Sequence, residues 1–393
     1  MVEWKPLKSI VKSISTGLNP RQNFILNEEN ASLYYVTVKE ITTNKVVFSD
    51  STDKITEKAR KVINNRSKLS EGDVLFSGIG TIGKVAYVDI PTNNWDCSES
   101  VFIIKPIESK TMGKFLSYVL ISDITKRQYE RGAAGAIMKG VRKATLENIQ
   151  IPIPSLSEQQ RIVETLDTFT ASIANLQEQI ALRRKQYEHY RDQLLDLEGK
   201  EGVEMKTLGE VGEFIRGSGI QKSDFTEEGF GCIHYGQIHT KYGLSATKTI
   251  SKIDKALYNK CKKAKKGDIV LATTSEDAEG VAKPVAWLGD EDIAISGDAY
   301  IYHHNQNGKF MAHQFSSHRF MLFKVMFATG AKVVRISGEN MKKYEFPLPS
   351  LSEQSRIVSI LDSFEASIAN LEEQLALRQK QYEYYREKLL TFD

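Results

Sequence analysis

The sequence predicts an α+β chain built twice over: two mixed α/β heads, each followed by a long helix, the two helices pairing as an antiparallel coiled coil with pseudo-twofold symmetry. Three observations predict it. Ile151-Pro-Ile-Pro-Ser-Leu-Ser-Glu-Gln159 recurs as Phe346-Pro-Leu-Pro-Ser-Leu-Ser-Glu-Gln354, and the match runs without a gap to Leu195 and Leu390. Both copies continue in sustained heptads. The stretch ahead of each copy has the length of a domain, yet the two stretches are hard to align.

Most positions of the duplicated segment are identical, which helix propensity alone does not produce. A weaker echo joins Val2-Glu-Trp-Lys-Pro-Leu7 to Val203-Glu-Met-Lys-Thr-Leu208, so the halves begin near residues 1 and 203. The expected parts are a first head over 1–154, a long helix over 155–198, a second head over 199–349 and a second long helix over 350–393. At 393 residues the chain is in any case too long for a single core.

The helices carry a clean seam. Ile162, Leu166, Phe169, Ile173, Leu176, Ile180, Arg183, Tyr187, Tyr190, Leu194 and Leu197 fall at alternating four- and three-residue steps. Ile357, Leu361, Phe364, Ile368, Leu371, Leu375, Arg378, Tyr382, Tyr385, Leu389 and Phe392 repeat them. That period specifies a coiled coil rather than a helix on a broad core. Arg183 and Arg378, the polar members, either fix register or snorkel to a rim carboxylate. Ser155 to Glu158 and Ser350 to Glu353 read as capping boxes, and Gly199 and Gly202 end the first helix. Two near-identical seams in one chain are most simply related by a pseudo-twofold axis, which makes them antiparallel if it crosses the rods. About 40 residues at ~1.5 Å rise give a rod of roughly 60 Å, the length of some ~17 base pairs of DNA.

Each head reads as mixed α/β. In the first, strands are expected at Leu33–Lys39, Gly72–Ser77, Lys84–Val88 and Val101–Ile104, with a helix from Lys114 to Arg131. Gly267-Asp-Ile-Val-Leu271 stands where the first head has Gly72-Asp-Val-Leu-Phe76, which suggests one fold with different loops. Gly78-Ile-Gly80-Thr-Ile-Gly83-Lys84-Val85 satisfies a dinucleotide fingerprint and nearly a P-loop. Both need a helix directly after the glycines, whereas an alternating β-branched strand follows here, so a tight hairpin is expected.

The remaining motifs exclude more than they propose. Three dispersed cysteines, Cys97, Cys232 and Cys261, fit a reducing cytoplasm and neither a disulfide framework nor a zinc site. No apolar run reaches the ~18 residues of a membrane span, and the N-terminus lacks a signal sequence. His303 and His304 are adjacent, and His313 and His318 share an expected helix, with no metal-binding spacing around them. Catalytic elbows, intact Walker motifs and the tetrapeptide of adenine methyltransferases are all missing from the sequence. A net charge of +3 is weak evidence for a polyanionic partner. The run Lys260, Lys262, Lys263, Lys265 and Lys266 either faces phosphates or is a solvated loop. Ahead of each long helix lies a glycine-rich basic stretch, Arg131–Arg142 and Gly330–Gly338, where small residues permit close approach and Lys and Arg supply phosphate or guanine contacts.

On these features the chain resembles the specificity subunit of type I restriction-modification systems over essentially its whole length. The proline-glutamine segments resemble that family's conserved regions, as do Lys185-Gln-Tyr-Glu-His-Tyr-Arg191 and Lys380-Gln-Tyr-Glu-Tyr-Tyr-Arg386. The resemblance implies two target-recognition domains, each reading one half of a bipartite, asymmetric site in double-stranded DNA. It implies helices that set the gap and dock two modification subunits, with restriction (motor-nuclease) subunits joining for cleavage. The chain itself is then a cytoplasmic, non-enzymatic component that binds no cofactor or metal, while S-adenosylmethionine, ATP and Mg belong to the partner subunits that methylate and cleave DNA. A stand-alone coiled-coil DNA-binding regulator and a protein-binding adaptor remain the alternatives.

Expected DNA contacts are chosen by residue type on loops and strand ends, since the family motif marks none. In the first head they are Thr37, Lys39, Ser77, Thr81, Lys84, Arg131, Lys139 and Arg142. In the second they are Tyr235, Gln237, His239, Lys241, Thr274, Ser275, Lys332 and Arg335. Gln to adenine and Arg to guanine are the pairings that major-groove geometry favours.

Overall fold

The computed structural model describes residues 2–21, 23–42, 44–132, 140–330 and 333–392. They form two compact units, Met1–Gln177 with Gln374–Asp393, and Glu178–Glu373. Each unit holds one head, the start of the long helix that follows that head, and the end of the other long helix.

In the first unit, Val11–Thr16, Val101–Pro106, Val74–Ser77 and Val85–Tyr87 form an antiparallel sheet in that order. A second sheet sets Leu33–Val36 between Lys54–Ile55 and Trp95–Cys97. Phe115, Leu116 and Val119 of helix Gly113–Ile121 share a buried core with Val74, Phe76 and Ile104 of the first sheet. The segment after Gly83 is thus a hairpin strand. The second unit repeats this frame with Gly212–Arg216, Ala299–His304, Ile269–Ala272 and Lys283–Trp287. Its second sheet is larger, with five strands.

The weak sequence echo has a structural reason. Glu3–Pro6 pairs antiparallel with Gln150–Ile153, and Glu204–Thr207 pairs in the same way with Glu345–Leu348. Each head is therefore closed by a ribbon that joins its first residues to the proline-rich lead-in of its own long helix.

The Gly-Asp step is equally physical. Gly72 and Gly267 have φ of +90° and +97°, a conformation that strongly favours glycine. The carboxylates of Asp73 and Asp268 then accept from the backbone N–H of Ser70 and Lys265. Gly113 and Gly308 start helices so close to these turns that an added Cβ would meet the Gly72 and Gly267 carbonyl oxygens at 2.6 and 2.8 Å.

The structure corrects one expected element in each head. Instead of a single helix from Lys114 to Arg131 there are two, Gly113–Ile121 and Asp123–Gly132, separated by Ser122 in extended conformation. That break turns the Asp123 N–H toward the Glu387 carboxylate of the second long helix, 3.0 Å away. His313 and His318 likewise lie on separate helices, Gly308–Ser316 and His318–Phe327, and the His318 N–H donates to Asp192 at 3.0 Å. A carboxylate at a fresh helix N-terminus is favourable through the exposed N–H groups and the helix dipole.

The long helices run Leu156–Leu195 and Leu351–Leu390. Of the expected seam, Ile162, Leu166, Ile173, Ile180, Ile357 and Leu361 are buried. Phe169, Leu176, Tyr187, Phe364, Ile368, Leu371, Leu375 and Tyr382 are half-buried. In the second unit Arg184, Tyr187 and Tyr190 meet Glu372, Glu365 and Phe364, so the partner numbers fall as the helix rises. The helices pair antiparallel. The first unit makes the equivalent stack between Phe169 and Tyr385, with centroids 5.3 Å apart. Arg378 pairs with no carboxylate among the described residues; its guanidinium lies 5.8 Å from the Phe169 ring centroid. The capping boxes are half made. Ser155 and Ser350 accept from the Glu158 and Glu353 N–H, but those glutamates turn to Arg161 and Arg356.

Gln159 and Gln354, the last residues of the repeated motif, are fully buried brackets between helix and head. The Gln159 amide accepts from Met112 N–H at 2.9 Å and donates to the Lys110 and Pro154 carbonyls. Gln354 accepts from Asn307 N–H and donates to Pro349 O and Gln306 Oε1. Lys114–Asp167 and Lys309–Asp362 add matching ion pairs of 2.8 and 2.7 Å. Gln159→Leu removes these bonds and leaves buried groups unpaired, so a loss of about 2 to 5 kcal/mol in denaturant-measured stability is expected. A change below ~1 kcal/mol would show the bracket to be dispensable.

Candidate nucleic-acid interface

In the first head the hairpin between Val74–Ser77 and Val85–Tyr87 organises the candidate residues. Ser77 is buried, and its hydroxyl donates to Thr81 O at 2.7 Å and accepts from Lys84 N at 2.8 Å. It builds the turn and is withdrawn from any ligand. Gly80 and Gly83, at φ of +82° and +83°, let the chain reverse. The Lys84 ammonium donates to Val38 O at 2.9 Å, which ties this turn to the one bearing Thr37 and Lys39. Thr37 is occupied too, since its N–H and hydroxyl both donate to the buried Glu40 carboxylate. On the other side Val141 N–H donates to Gly78 O, and Ile79 bridges Gly140. Gly140 and Val141, at the end of the glycine-rich basic stretch, thus dock on the hairpin tip, and Arg142 follows them directly. Lys39, Thr81, Arg131 and Arg142 present exposed side chains. Lys139 lies outside the described residues.

The second head repeats the docking with more hydrogen bonding. Thr274–Ser275 pairs antiparallel with Val334–Arg335, with Thr274 opposite Arg335. The loop beyond strand Ile269–Ala272 is therefore latched to the basic stretch, as in the first head. His239 places Nε2 2.9 Å from Thr274 O, and Lys283, whose ammonium burial holds below the usual lysine range, donates to His239 O at 3.2 Å. Tyr235, His239, Thr274 and Ser275 line one cleft of about 900 Å³. Arg335 lines a neighbouring cleft of about 380 Å³ with Arg216, Asp298 and Asn340.

Gln237 does not offer a free amide to adenine. Its Oε1 accepts from His234 N–H and its Nε2 donates to Ser251 Oγ at 2.6 Å, which caps the short helix Tyr235–Thr240. Lys241 is exposed beyond that helix, and Lys332 lies outside the described residues. The lysine run is partly engaged: Lys263 sits 4.7 Å from the Tyr258 ring centroid and Lys266 pairs with Asp290 at 2.6 Å.

Three groups escaped the sequence reading. Arg216 ends a strand and lines two clefts, and the Arg216-Gly-Ser-Gly219 run is the same basic, glycine-flanked signal used elsewhere. Lys222 lines the clefts beside Tyr235. Lys324 had no signal, since it sits in an apolar helix. Its ammonium is buried and donates to Val281 O at 2.9 Å and to Glu279 O, pinning the 276–281 loop from behind.

Two unlike loop faces on one repeated frame define a two-headed recognition protein. The chain belongs to the type I restriction modification DNA specificity domain family, whose model matches residues 1–183 and 200–378. It is a specificity-subunit chain of the type I restriction-modification class and recognises DNA sequence, which sets aside the regulator and adaptor readings. It is 30% identical over 300 residues to the specificity subunit of the Escherichia coli type I restriction enzymes EcoR124I and EcoR124II, covering 72% of each chain. It is 31% identical over 301 residues to a putative type I specificity subunit of Haemophilus influenzae, covering 72% of this chain and 74% of that one. A solved chain from work on complex assembly and conformational transition of the type I system shares the fold, with TM-score 0.64, 20% identity and coverage of 100% and 98%. The HsdS subunit of Thermoanaerobacter tengcongensis matches at TM-score 0.50, 19% identity and coverage of 99% and 96%. No helix among the described residues is long and apolar enough to cross a membrane.

Burial lowers the Lys324 pKa from 10.5 to about 8. The folded state then binds fewer protons than the unfolded state between those two values, so this group makes stability rise as pH climbs from about 8 to 10.5. Denaturant melts of wild type and Lys324→Met should show their stability difference move in favour of wild type by on the order of 3 kcal/mol across that window. A flat difference would mean that the ammonium is solvated.

Proposed function

We propose that each head reads one half of a bipartite, asymmetric site in double-stranded DNA, and that the chain performs no chemistry of its own. The observation that carries this reading is the contrast between a shared frame, with its near-identical long helices, and loop faces that differ. Unlike faces demand unlike half-sites, and a hydrogen-bonded frame holds each face in a fixed geometry. The long helices set the gap between half-sites. S-adenosylmethionine, ATP and Mg chemistry belongs to modification and restriction subunits, and the complex works in the cytoplasm.

The helices also supply a docking surface. Leu182 and Leu377 are 57% and 54% exposed at equivalent positions outside the seam, and Leu156 and Leu351 are exposed at equivalent helix starts. The same apolar side chains offered twice suit two copies of one partner, the modification subunit.

Co-expression with a modification subunit from the same host is expected to place adenine methylation at one gapped, asymmetric motif, read by genome-wide methylation mapping. Absence of such a motif would remove the reading. Arg335, exposed and latched opposite Thr274, is expected to read a base edge. Arg335→Ala should cost about 1 to 3 kcal/mol of discrimination in one half-site only. Equal weakening on every sequence in a salt-controlled binding assay would make it a phosphate contact instead.

A further inference from the structure

The loop over residues 273–282 of the second head is held on several sides. Thr274–Ser275 is paired to Val334–Arg335, Ala282 N–H donates to Ala272 O at 2.7 Å, and Lys324 grips the Glu279 and Val281 carbonyls. Ala282 is locked at φ +59°, a left-handed conformation for a non-glycine residue. Within the loop, the Asp277 carboxylate accepts from Gly280 N–H at 2.6 Å and is consumed by the turn. Glu276 is different. Its side chain is exposed, lines the 900 Å³ cleft beside Tyr235 and His239, and has no hydrogen bond or ion pair among the described residues.

A second observation concerns the same cleft. Thr274, which also lines the cleft, is only 6% exposed, and its hydroxyl has no hydrogen-bond partner among the described residues. A buried hydroxyl left open in the free protein is a group that a bound ligand can satisfy.

We propose that this loop is a base-reading element in which Glu276 accepts a hydrogen bond from an exocyclic amine, cytosine N4 or adenine N6, in the major groove of the second head's half-site. The inference rests on the reading that this head faces DNA. A carboxylate is repelled by the phosphate backbone, so one carried on a DNA-facing loop with a held backbone is favourable only against a donor. In the major groove the donors are the amines of cytosine and adenine, whereas guanine N7 and O6 and thymine O4 are acceptors. Glu276 therefore favours a base pair that turns its amine, rather than its N7, O6 or O4 acceptors, toward the loop. The corresponding turn of the first head, Gly78–Lys84, holds no carboxylate, which confines the effect to one half-site.

The test is selection from randomised duplexes by the full chain complexed with its modification subunits. Wild type is expected to enrich one base pair, in one orientation, at a position of one half-site whose preference depends on Glu276. Duplexes carrying each of the four bases there distinguish the two amines. Glu276→Gln and Glu276→Ala should reduce that preference by at least about fivefold, with every other position unchanged. Unaltered thermal melts verify folding of both variants, whose substituted side chain is exposed. If wild type enriches a gapped motif and both variants enrich the same motif with the same preference, Glu276 is not a reader and half-site recognition stands. Uniform weakening across all sequences overturns the inference as well. If wild type enriches no motif at all, the DNA-reading proposal falls and takes this one with it.

Discussion

Helix ends from both long helices complete the hydrophobic core of each head, and everything else in the chain is arranged around that dependence. In the first unit Ile162, Val163 and Leu166 from one helix and Leu390 from the other share a core with Phe115, Leu116 and Val119. In the second, Leu195, Leu197, Ile357, Val358 and Leu361 pack with Phe310, Met311 and Phe315. Each fully buried aliphatic side chain contributes about 1.5 to 3 kcal/mol. A head stripped of either helix end would lose the side chains that complete its buried cluster. The near-identity of the helix ends follows, because they serve a head core and a helix pair in both halves.

Polar brackets convert that apolar contact into a unique register. Gln159 and Gln354 satisfy backbone groups of the head that would otherwise be buried without partners, while Glu387 and Asp192 cap helices that begin only because a serine breaks the preceding one. Such groups specify geometry because the penalty for leaving them unmet is larger than the gain from meeting them. The Gly-Asp turns show how much variation the frame tolerates. Asp73 pairs with the Lys105 ammonium, and Asp268 with His303 Nδ1. Burial raises the pKa of both carboxylates in spite of their hydrogen bonds. The slot is kept and its counter-group is exchanged.

These relations explain what the sequence could reveal. The heptads, the repeated proline-glutamine segment and the Gly-Asp step are local signals with a fixed period or a fixed backbone demand, and they were legible. Gly113-Lys-Phe115 and Gly308-Lys-Phe310 repeat at the same offset as the helices, but three residues in divergent surroundings are too short a match to notice. The helix breaks at Ser122 and Ser317 were missed because a lone serine is a weak local signal and the carboxylates that meet the new helix starts lie far away in the chain. The interface suffered most. Ser77, Thr37 and Gln237 have base-reading chemistry by type, yet hydrogen bonds within their own heads, two of them inside tight turns, occupy them. Residue type proposes donors and acceptors; only the fold decides which are left over.

That distinction bears on how a chain with a net charge of only +3 can choose among DNA sequences. Counterion release gives affinity without discrimination, so a modest excess of cations limits nonspecific binding and leaves selection to fixed polar groups. Fixity is where both heads place their hydrogen bonds. In each, the loop after the Gly-Asp strand is latched to the basic stretch ahead of the long helix, by Val141 to Gly78 in one and by Thr274 opposite Arg335 in the other. Since that basic stretch continues into the ribbon and then the helix, the reading loop is joined to its scaffold by covalent chain on one side and hydrogen bonds on the other. A loop held in this way loses little conformational freedom on binding, so the free energy of each base contact is available for telling one sequence from another.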